Sequence, residues 1–251
     1  MAEHFQNLFA DVAKYAAHCL QEASKYGEVI IITNSDEGWV HYSCEKFVPC
    51  LLPIIEKYRI VSARTAYEKF YPGQTLCWKA AAFAHEVNEY FENQSTSDES
   101  DDVNTASGSL ESDESFDSSF SRESCGQREI ISFGDSMEER TAVKIVADQL
   151  AAVPKSVMFV PSPSPVQIIG QLQLLTQHMR YICTHHAPLD LEISPEQARS
   201  FAETYIRRSR PDFRQAKDLS AMLTTHSRER MCATIYSLHS WISHSCLKLG
   251  R

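Results

Sequence analysis

The chain has 251 residues, of which 43% are hydrophobic, and a formal net charge of −9. This size and composition fit one globular domain with appendages. The negative charge is concentrated between Glu92 and Gln127, where ten acidic residues stand against one arginine; the rest of the chain carries equal numbers of acids and bases. Because the remainder is neutral, no overall positive field attracts nucleic acid or an anionic membrane, and we predict neither partner.

The cysteines and the N-terminus indicate a cytoplasmic protein. The eight cysteines are scattered without a close pair, which favours a reducing compartment and argues against a structural zinc site. No apolar run approaches the roughly 20 residues of a membrane span. The N-terminal segment predicts an amphipathic helix and lacks the features of a signal peptide.

Two strands are predicted in the first third of the chain. Apolar residues at helical spacing in 3–26, followed by Gly27, predict a helix. The segment "EVIIITN" has no alternation, which is typical of a strand buried on both faces. The following predicted elements are a helix from Ser35 interrupted at Pro49 and Pro53, a short strand in "YRIVSAR", a helical stretch from Thr65 to Tyr71, and a helix in "LCWKAAAFAHEVNEYF".

Residues 93–127 form a tract of serine and acidic residues without apolar periodicity. Such a segment buries too little surface to offset chain entropy, so we predict a disordered acidic insertion. Its serines could accept phosphate, although a solvated loop is the favoured interpretation.

Strands and helices alternate again after the insertion. The patterns predict strands at 129–135 and 155–160, a helix from Met137 to Leu150, and a helix at 166–183. The fold class is therefore α/β, a three-layer, doubly wound parallel sheet formed by residues 1–92 and 128–185. Residues 186–251 predict helices alone, one beginning at Ser194 and a second over 213–247, and form a helical C-terminal region.

Polar side chains follow each predicted strand, where ligands of a doubly wound sheet bind. The segments "IIITN", "WK" and "IISFGDSMEE" resemble, in this order, motifs two, three and four of the haloacid dehalogenase superfamily. Together, "GWV", "SAR" and "WK" are similar to a poorly characterised eukaryotic branch of it. The resemblance covers residues 5–183 without the insertion. It implies a Rossmann-type fold and magnesium-dependent phosphatase or phosphotransferase activity on a phosphorylated substrate of unknown identity.

The resemblance also implies roles for individual residues. Thr33 and the backbone of Asn34 would bind phosphoryl oxygens, and Lys79 would neutralise the charge on nucleophile and phosphate. Asp135 would coordinate magnesium, with Glu139 as the second acid and Glu138 as its alternative. Few oxygen ligands, completed by water and phosphate, suit this ion.

Each of these residues also has a structural interpretation. Thr33 could end a strand, Lys79 could be a solvated helix lysine, and Asp135 could cap the next helix. Arg64 could bind a substrate anion or pair with Glu68 four residues later. Outside the motifs, we expect Trp39 and Trp78 to be core aromatics, and the arginines of "YIRRSRPDFR" to be a solvated helix end.

The first motif of the superfamily, an apolar strand running into Asp-x-Asp, is not found. Its first aspartate forms the covalent intermediate, and "IIITNSDEGW" aligned in its place supplies no aspartate nucleophile. In the family this strand is central, in the parallel order 3-2-1-4-5. Without it, a gap of about 10 Å separates "IIIT" from "IISF".

We therefore expect an N-terminally incomplete form of an enzyme, inactive as this chain, in which no segment of residues 1–27 fills the gap. The alternative is a non-catalytic scaffold, with the acidic insertion or the helical tail contacting a protein partner.

Overall fold

A computed structural model describes residues 3–97, 128–209 and 246–250. The helices are α1 (Glu3–Ala23), α2 (Trp39–Phe47), a 3-10 turn (Pro49–Leu51), α3 (Leu52–Ile55), α4 (Ala63–Tyr67), α5 (Thr75–Ser97), α6 (Met137–Gln149), α7 (Pro165–Thr184) and α8 (Pro195–Ser209). The strands are β1 (Glu28–Thr33), β2 (Arg59–Ser62), β3 (Glu129–Gly134), β4 (Val153–Met158), β5 (Leu189–Glu192) and β6 (Cys246–Gly250).

The six described strands form one sheet in the order β2-β1-β6-β3-β4-β5. β1 pairs in parallel with β2, and β3, β4 and β5 pair in parallel with one another. β6 joins these two groups and runs antiparallel to both neighbours. The α/β class is thus confirmed, and the predicted strands pair as β1 with β2 and β3 with β4. The prediction of a wholly parallel sheet is wrong, because β6 makes the sheet mixed.

Helices cover both faces of the sheet because the buried strands are apolar on both sides. Along β1, Val29 packs into a core with α1, α7 and α8, whereas Ile30 and Ile32 pack into a second core with α4, α5 and α6. Along β3, Ile131 packs into the first core and Ile130 into the second. The alternation of side chains along a strand thus produces the three layers.

The centre of the sheet differs from the open gap that we predicted. No described residue between 3 and 27 forms a strand, as expected, because this segment is α1. The gap is filled by β6. Its Leu249 is the Cα partner of Glu28 in β1 on one side and of Ile130 in β3 on the other. The predicted helical run over 213–247 is wrong at its last two residues, which belong to β6; the others lie outside the described residues.

The prediction that only helices follow residue 186 is also wrong. β5 extends the sheet beside β4, and its four residues are too few for a periodic pattern to be detected. α8 packs closely on α7, with Gly170 at the contact and Ala198, Ala202 and Tyr205 buried in the first core. The sequence identified α8 correctly, but not its place in this core.

Two smaller predictions need correction. α5 continues to Ser97, so residues 93–97 are helical; residues 98–127 of the predicted insertion lie outside the described residues. Trp78 is buried as expected, but Trp39 is 38% exposed beside Tyr42 and is not a core aromatic. Of the arginine cluster, Arg207 and Arg208 are exposed in the last turn of α8, as predicted.

None of the described helices is both long enough and apolar enough to cross the membrane.

Candidate functional site

The candidate site lies where β1 and β3 end and α5 and α6 begin. Thr33 is the last residue of β1, and Asp135 directly follows β3. Lys79 reaches this place from α5, and Glu138 and Glu139 lie in the first turn of α6. The tertiary structure therefore brings the residues predicted from three separate motifs to one edge of the sheet.

Lys79 is the centre of this site. Its side chain is fully buried, and its Nζ donates to the Ile32 carbonyl at 2.6 Å and lies 3.1 Å from Glu139 Oε1. Burial lowers the pKa of Lys79, against the attraction of Glu139 and then of Asp135 and Glu138. The interpretation of Lys79 as a solvated helix lysine is therefore wrong.

Glu139 has a structural function that the sequence analysis missed. Ser136 is the N-cap of α6, and its backbone N–H donates to Glu139 Oε2 at 3.1 Å. The Ser136 hydroxyl donates to the same oxygen. This is a capping box, visible in the sequence as Ser-x-x-Glu. Because Ser136 is the cap, the interpretation of Asp135 as the N-cap is wrong.

Asp135 lies just before the cap and is half-buried. Burial raises the pKa of its carboxyl to about 6, and the negative charge of Glu139 contributes in the same direction. The positive charge of Lys79 lowers the pKa of Asp135, but by less than burial and Glu139 together raise it. An acid whose ionised form is disfavoured in this way is stabilised by a bound cation.

Glu138 is the more accessible of the two glutamates. It is half-buried, and its Oε1 accepts a hydrogen bond from Thr75 Oγ1 at 3.3 Å. Thr75, the first residue of α5, also accepts through its backbone carbonyl from Asn34 Nδ2 at 3.5 Å. Thr75 thus connects the loop after β1 with α6, a position that no motif indicated.

Thr33 and Arg64 are engaged in local structure. Thr33 is buried, and its Oγ1 accepts from the backbone N–H of Ser35 at 3.0 Å, which fixes the turn after β1. Arg64 lies at the surface, with Nε 2.9 Å from Glu68 Oε2 and a second contact to Asp36. The alternative in which Arg64 pairs with Glu68 is confirmed, and the structure does not place Arg64 in contact with the Lys79 cluster.

Three carboxyl groups therefore surround one ammonium group at this edge. Glu139 contacts Lys79 and Ser136, and Glu138 accepts from Thr75. The carboxyl oxygens of Asp135 and Glu138 are of the kind that magnesium prefers. Magnesium is commonly held by one or two carboxylates, with water and phosphate oxygens completing its ligands. In the chemistry of their side chains, Asp135 and Glu138 thus fit a magnesium ion.

A second acidic cluster lies on α5. His85, Glu86 and Glu89 have possible ligand atoms within 4.8 Å of one another. However, Arg59 already pairs with both glutamates, its Nε 2.9 Å from Glu86 Oε2 and its Nη1 2.6 Å from Glu89 Oε2. The guanidinium supplies the positive charge that a metal would bring, so this cluster is a weaker candidate.

Comparisons of the chain with protein-family models, with curated proteins and with solved structures found no match.

Proposed function

We propose that this chain is a magnesium-dependent, phosphatase-like domain of the haloacid dehalogenase type, which lacks the aspartate nucleophile and is inactive as it stands. The observation that supports this proposal is the buried ammonium of Lys79 between the ends of β1 and β3, with Asp135 and Glu138 beside it. A buried charge of this kind is costly, and such groups concentrate at functional sites.

The chemistry assigned to each residue is electrostatic. Asp135 and Glu138 would hold a magnesium ion, which would supply positive charge next to a bound phosphoryl group. Lys79 stabilises negative charge between the two strand ends, and Thr33 with the Asn34 backbone orients phosphoryl oxygens. Glu139 acts as a positioning residue, because it holds Lys79 and the first turn of α6 in place.

The nucleophile is missing at the position between β1 and β3. There, β6 supplies the central strand, and at its end towards the site Cys246 is the Cα partner of both Ile31 and Phe133. No residue from Cys246 to Gly250 is acidic. A phosphoaspartate intermediate therefore has no carboxylate on the described central strand.

The proposal is tested first by metal binding. We expect Mn²⁺, used as a paramagnetic probe, to bind with a dissociation constant of about millimolar, and Mg²⁺ to compete with it. Asp135→Asn should weaken this binding at least tenfold, whereas the matched variant Glu86→Gln at the Arg59 cluster should leave it unchanged. Equal effects of the two variants would contradict the assignment of the site.

Hydrolysis supplies the second test. We expect no turnover of para-nitrophenyl phosphate by this chain with Mg²⁺, since the nucleophile is missing. Turnover that Asp135→Asn abolishes would overturn the missing-nucleophile argument while supporting the metal site.

The second candidate function is that of a non-catalytic scaffold. It is favoured by the occupation of the central position by β6, which carries no acidic residue. A chain that binds neither Mn²⁺ nor Mg²⁺ at its Asp135 site supports this function over the first.

A further inference from the structure

Exposed apolar side chains are concentrated at the edge of the sheet that carries the candidate site. Among the described residues, seven large hydrophobic side chains are exposed, and only Ile145 and Tyr181 lie elsewhere, on later turns of α6 and α7. The other five lie on segments that follow β1, β2 or β3, and we name them the apolar collar: Trp39, Tyr42, Phe70, Tyr71 and Met137. Because these three strands run in the same direction, the segments that follow them meet at one edge of the sheet, beside Asp135.

Hydrogen bonds join the collar segments after β1 and β2 to each other. Trp39 begins α2, and in the turn before it the backbone N–H of Glu37 donates to Thr65 Oγ1 of α4 at 3.1 Å. The hydroxyl of Ser62, at the end of β2, donates to the Ser35 carbonyl at 2.7 Å. The two segments are therefore attached at two points and present their exposed side chains from one connected surface.

Two members of the collar lie next to the groups of the candidate site. The Tyr71 carbonyl accepts from Trp78 Nε1 at 2.6 Å, which attaches Tyr71 to the first turn of α5. That helix begins at Thr75, which donates to Glu138 at 3.3 Å. Met137, on α6, directly precedes Glu138. The collar thus adjoins the proposed metal ligands from two helices.

The outer part of the collar is positively charged. Lys46 Nζ lies 5.3 Å from the centre of the Tyr42 ring, and Lys69 Nζ lies 4.7 Å from that of Phe70. Contiguous apolar surface that faces solvent is typical of a binding site, and a positive rim attracts an anion. A site for inorganic phosphate alone would gain nothing from aromatic side chains around it, so the collar indicates a ligand with an apolar part.

We propose that the apolar collar binds the organic part of a phosphate ester, and that this part is an aromatic ring. The inference rests on the proposed function, because Asp135, Glu138 and Lys79 are taken to be the groups that receive the phosphoryl group. Aromatic side chains such as Trp39 and Tyr71 bind a planar ring by stacking and by apolar contact. The observation that carries the proposal is the concentration of exposed aromatic side chains on the segments that surround a buried ammonium and two carboxyl groups.

The test compares three ligands by isothermal titration calorimetry with Mg²⁺: phenyl phosphate, methyl phosphate and inorganic phosphate. We expect phenyl phosphate to bind at least about tenfold more tightly than methyl phosphate, because its ring buries apolar surface on the collar. Trp39→Ser combined with Tyr71→Ser should reduce this preference to about twofold or less and leave the affinity for methyl phosphate unchanged. The matched control is Tyr181→Ser, since Tyr181 is equally exposed but lies near the end of α7, and it should retain the preference.

Met137→Ser serves as a second variant in case the double variant does not fold, and it should lower the preference for phenyl phosphate at least about twofold. Magnesium-dependent binding of phenyl and methyl phosphate with equal affinity would overturn the role of the collar and leave the proposed function intact. A preference that persists in the double variant and in Met137→Ser would overturn it as well. If none of the three ligands shows magnesium-dependent binding, the proposed function fails, and the collar proposal fails with it.

Discussion

The ammonium of Lys79 and the carboxylate of Glu139 form an ion pair of 3.1 Å in which both side chains are at least 98% buried. The pair connects α5 to α6 across the ends of β1 and β3, and the hydrogen bond from Lys79 to the Ile32 carbonyl attaches it to the sheet.

The first prediction concerns the stability of the buried pair. Lys79→Met should lower the free energy of unfolding by about 3 kcal/mol, because Glu139 and Asp135 then lose their nearest positive charge. Lys79→Met with Glu139→Gln should recover part of this loss. The matched control is Lys144→Met, since Lys144 is half-exposed and its pair with Asp190 contributes less than about 1 kcal/mol. Urea denaturation measures all four proteins, and an equal loss in the control would contradict the prediction.

The second prediction concerns metal affinity. Lys79→Met should strengthen Mn²⁺ binding several-fold, because a positive charge beside the proposed ligands is removed. The control is Lys155, which is also fully buried, pairs with Glu129 at 2.8 Å and donates to the Ile182 carbonyl. Lys155→Met should be destabilising but should leave Mn²⁺ affinity unchanged. Titration by electron paramagnetic resonance under folded conditions measures both, and parallel changes would show that the effect is not local.

The third prediction is a pH dependence of stability at Asp135. Its pKa is raised to about 6 in the folded protein, from about 4 when unfolded. The folded state therefore binds the Asp135 proton more tightly than the unfolded state does. The contribution of Asp135 to stability is fully present below about pH 4 and is lost as the pH rises through about 6. In EDTA, Asp135→Asn should raise the free energy of unfolding at pH 7, by at most about 3 kcal/mol, and change it little at pH 4.

Asp190→Asn is the control of opposite sign. The guanidinium of Arg140, with Lys144 and Ser156, lowers the pKa of the Asp190 carboxyl. The contribution of Asp190 to stability is present above its unfolded pKa of about 4 and is lost as the pH falls through its lower pKa in the folded protein. Asp190→Asn should therefore destabilise the protein at pH 7, and the difference should begin to shrink below about pH 4. The same sign for both variants would contradict the assignments.

The fourth prediction concerns the contact between α7 and α8. A Cβ at Gly170 would lie 2.4 Å from the Ala198 carbonyl oxygen and 2.9 Å from the Ala202 nitrogen, both of them backbone atoms that cannot move without α8. Gly170→Ala should lower the free energy of unfolding by about 1–3 kcal/mol and increase hydrogen exchange in α8. Gln173→Ala on the same helix, which is only partly buried, is the control and should cost less. Unchanged hydrogen exchange in α8 after Gly170→Ala would contradict the close packing of α8 on α7 at this position.

Local patterns in the sequence determined the alternation of helices and strands. The run of apolar residues in β1 and the Ser-x-x-Glu signal at Ser136 are properties of a few consecutive residues, so they can be recognised without the fold. The motifs also indicated Thr33, Lys79 and Asp135, which the fold brings to one edge of the sheet.

Only the tertiary structure decided what lies between β1 and β3. The pairing of Cys246–Gly250 with strands more than a hundred residues away leaves no periodic signal in five residues, and the sequence predicted a helix up to residue 247 instead. In the same way, Lys79 and Glu139 are far apart in the chain, and their ion pair depends on α5 and α6 packing on one face. Local periodicity encodes which face of an element is apolar, whereas the choice of distant partners depends on how the whole core is filled.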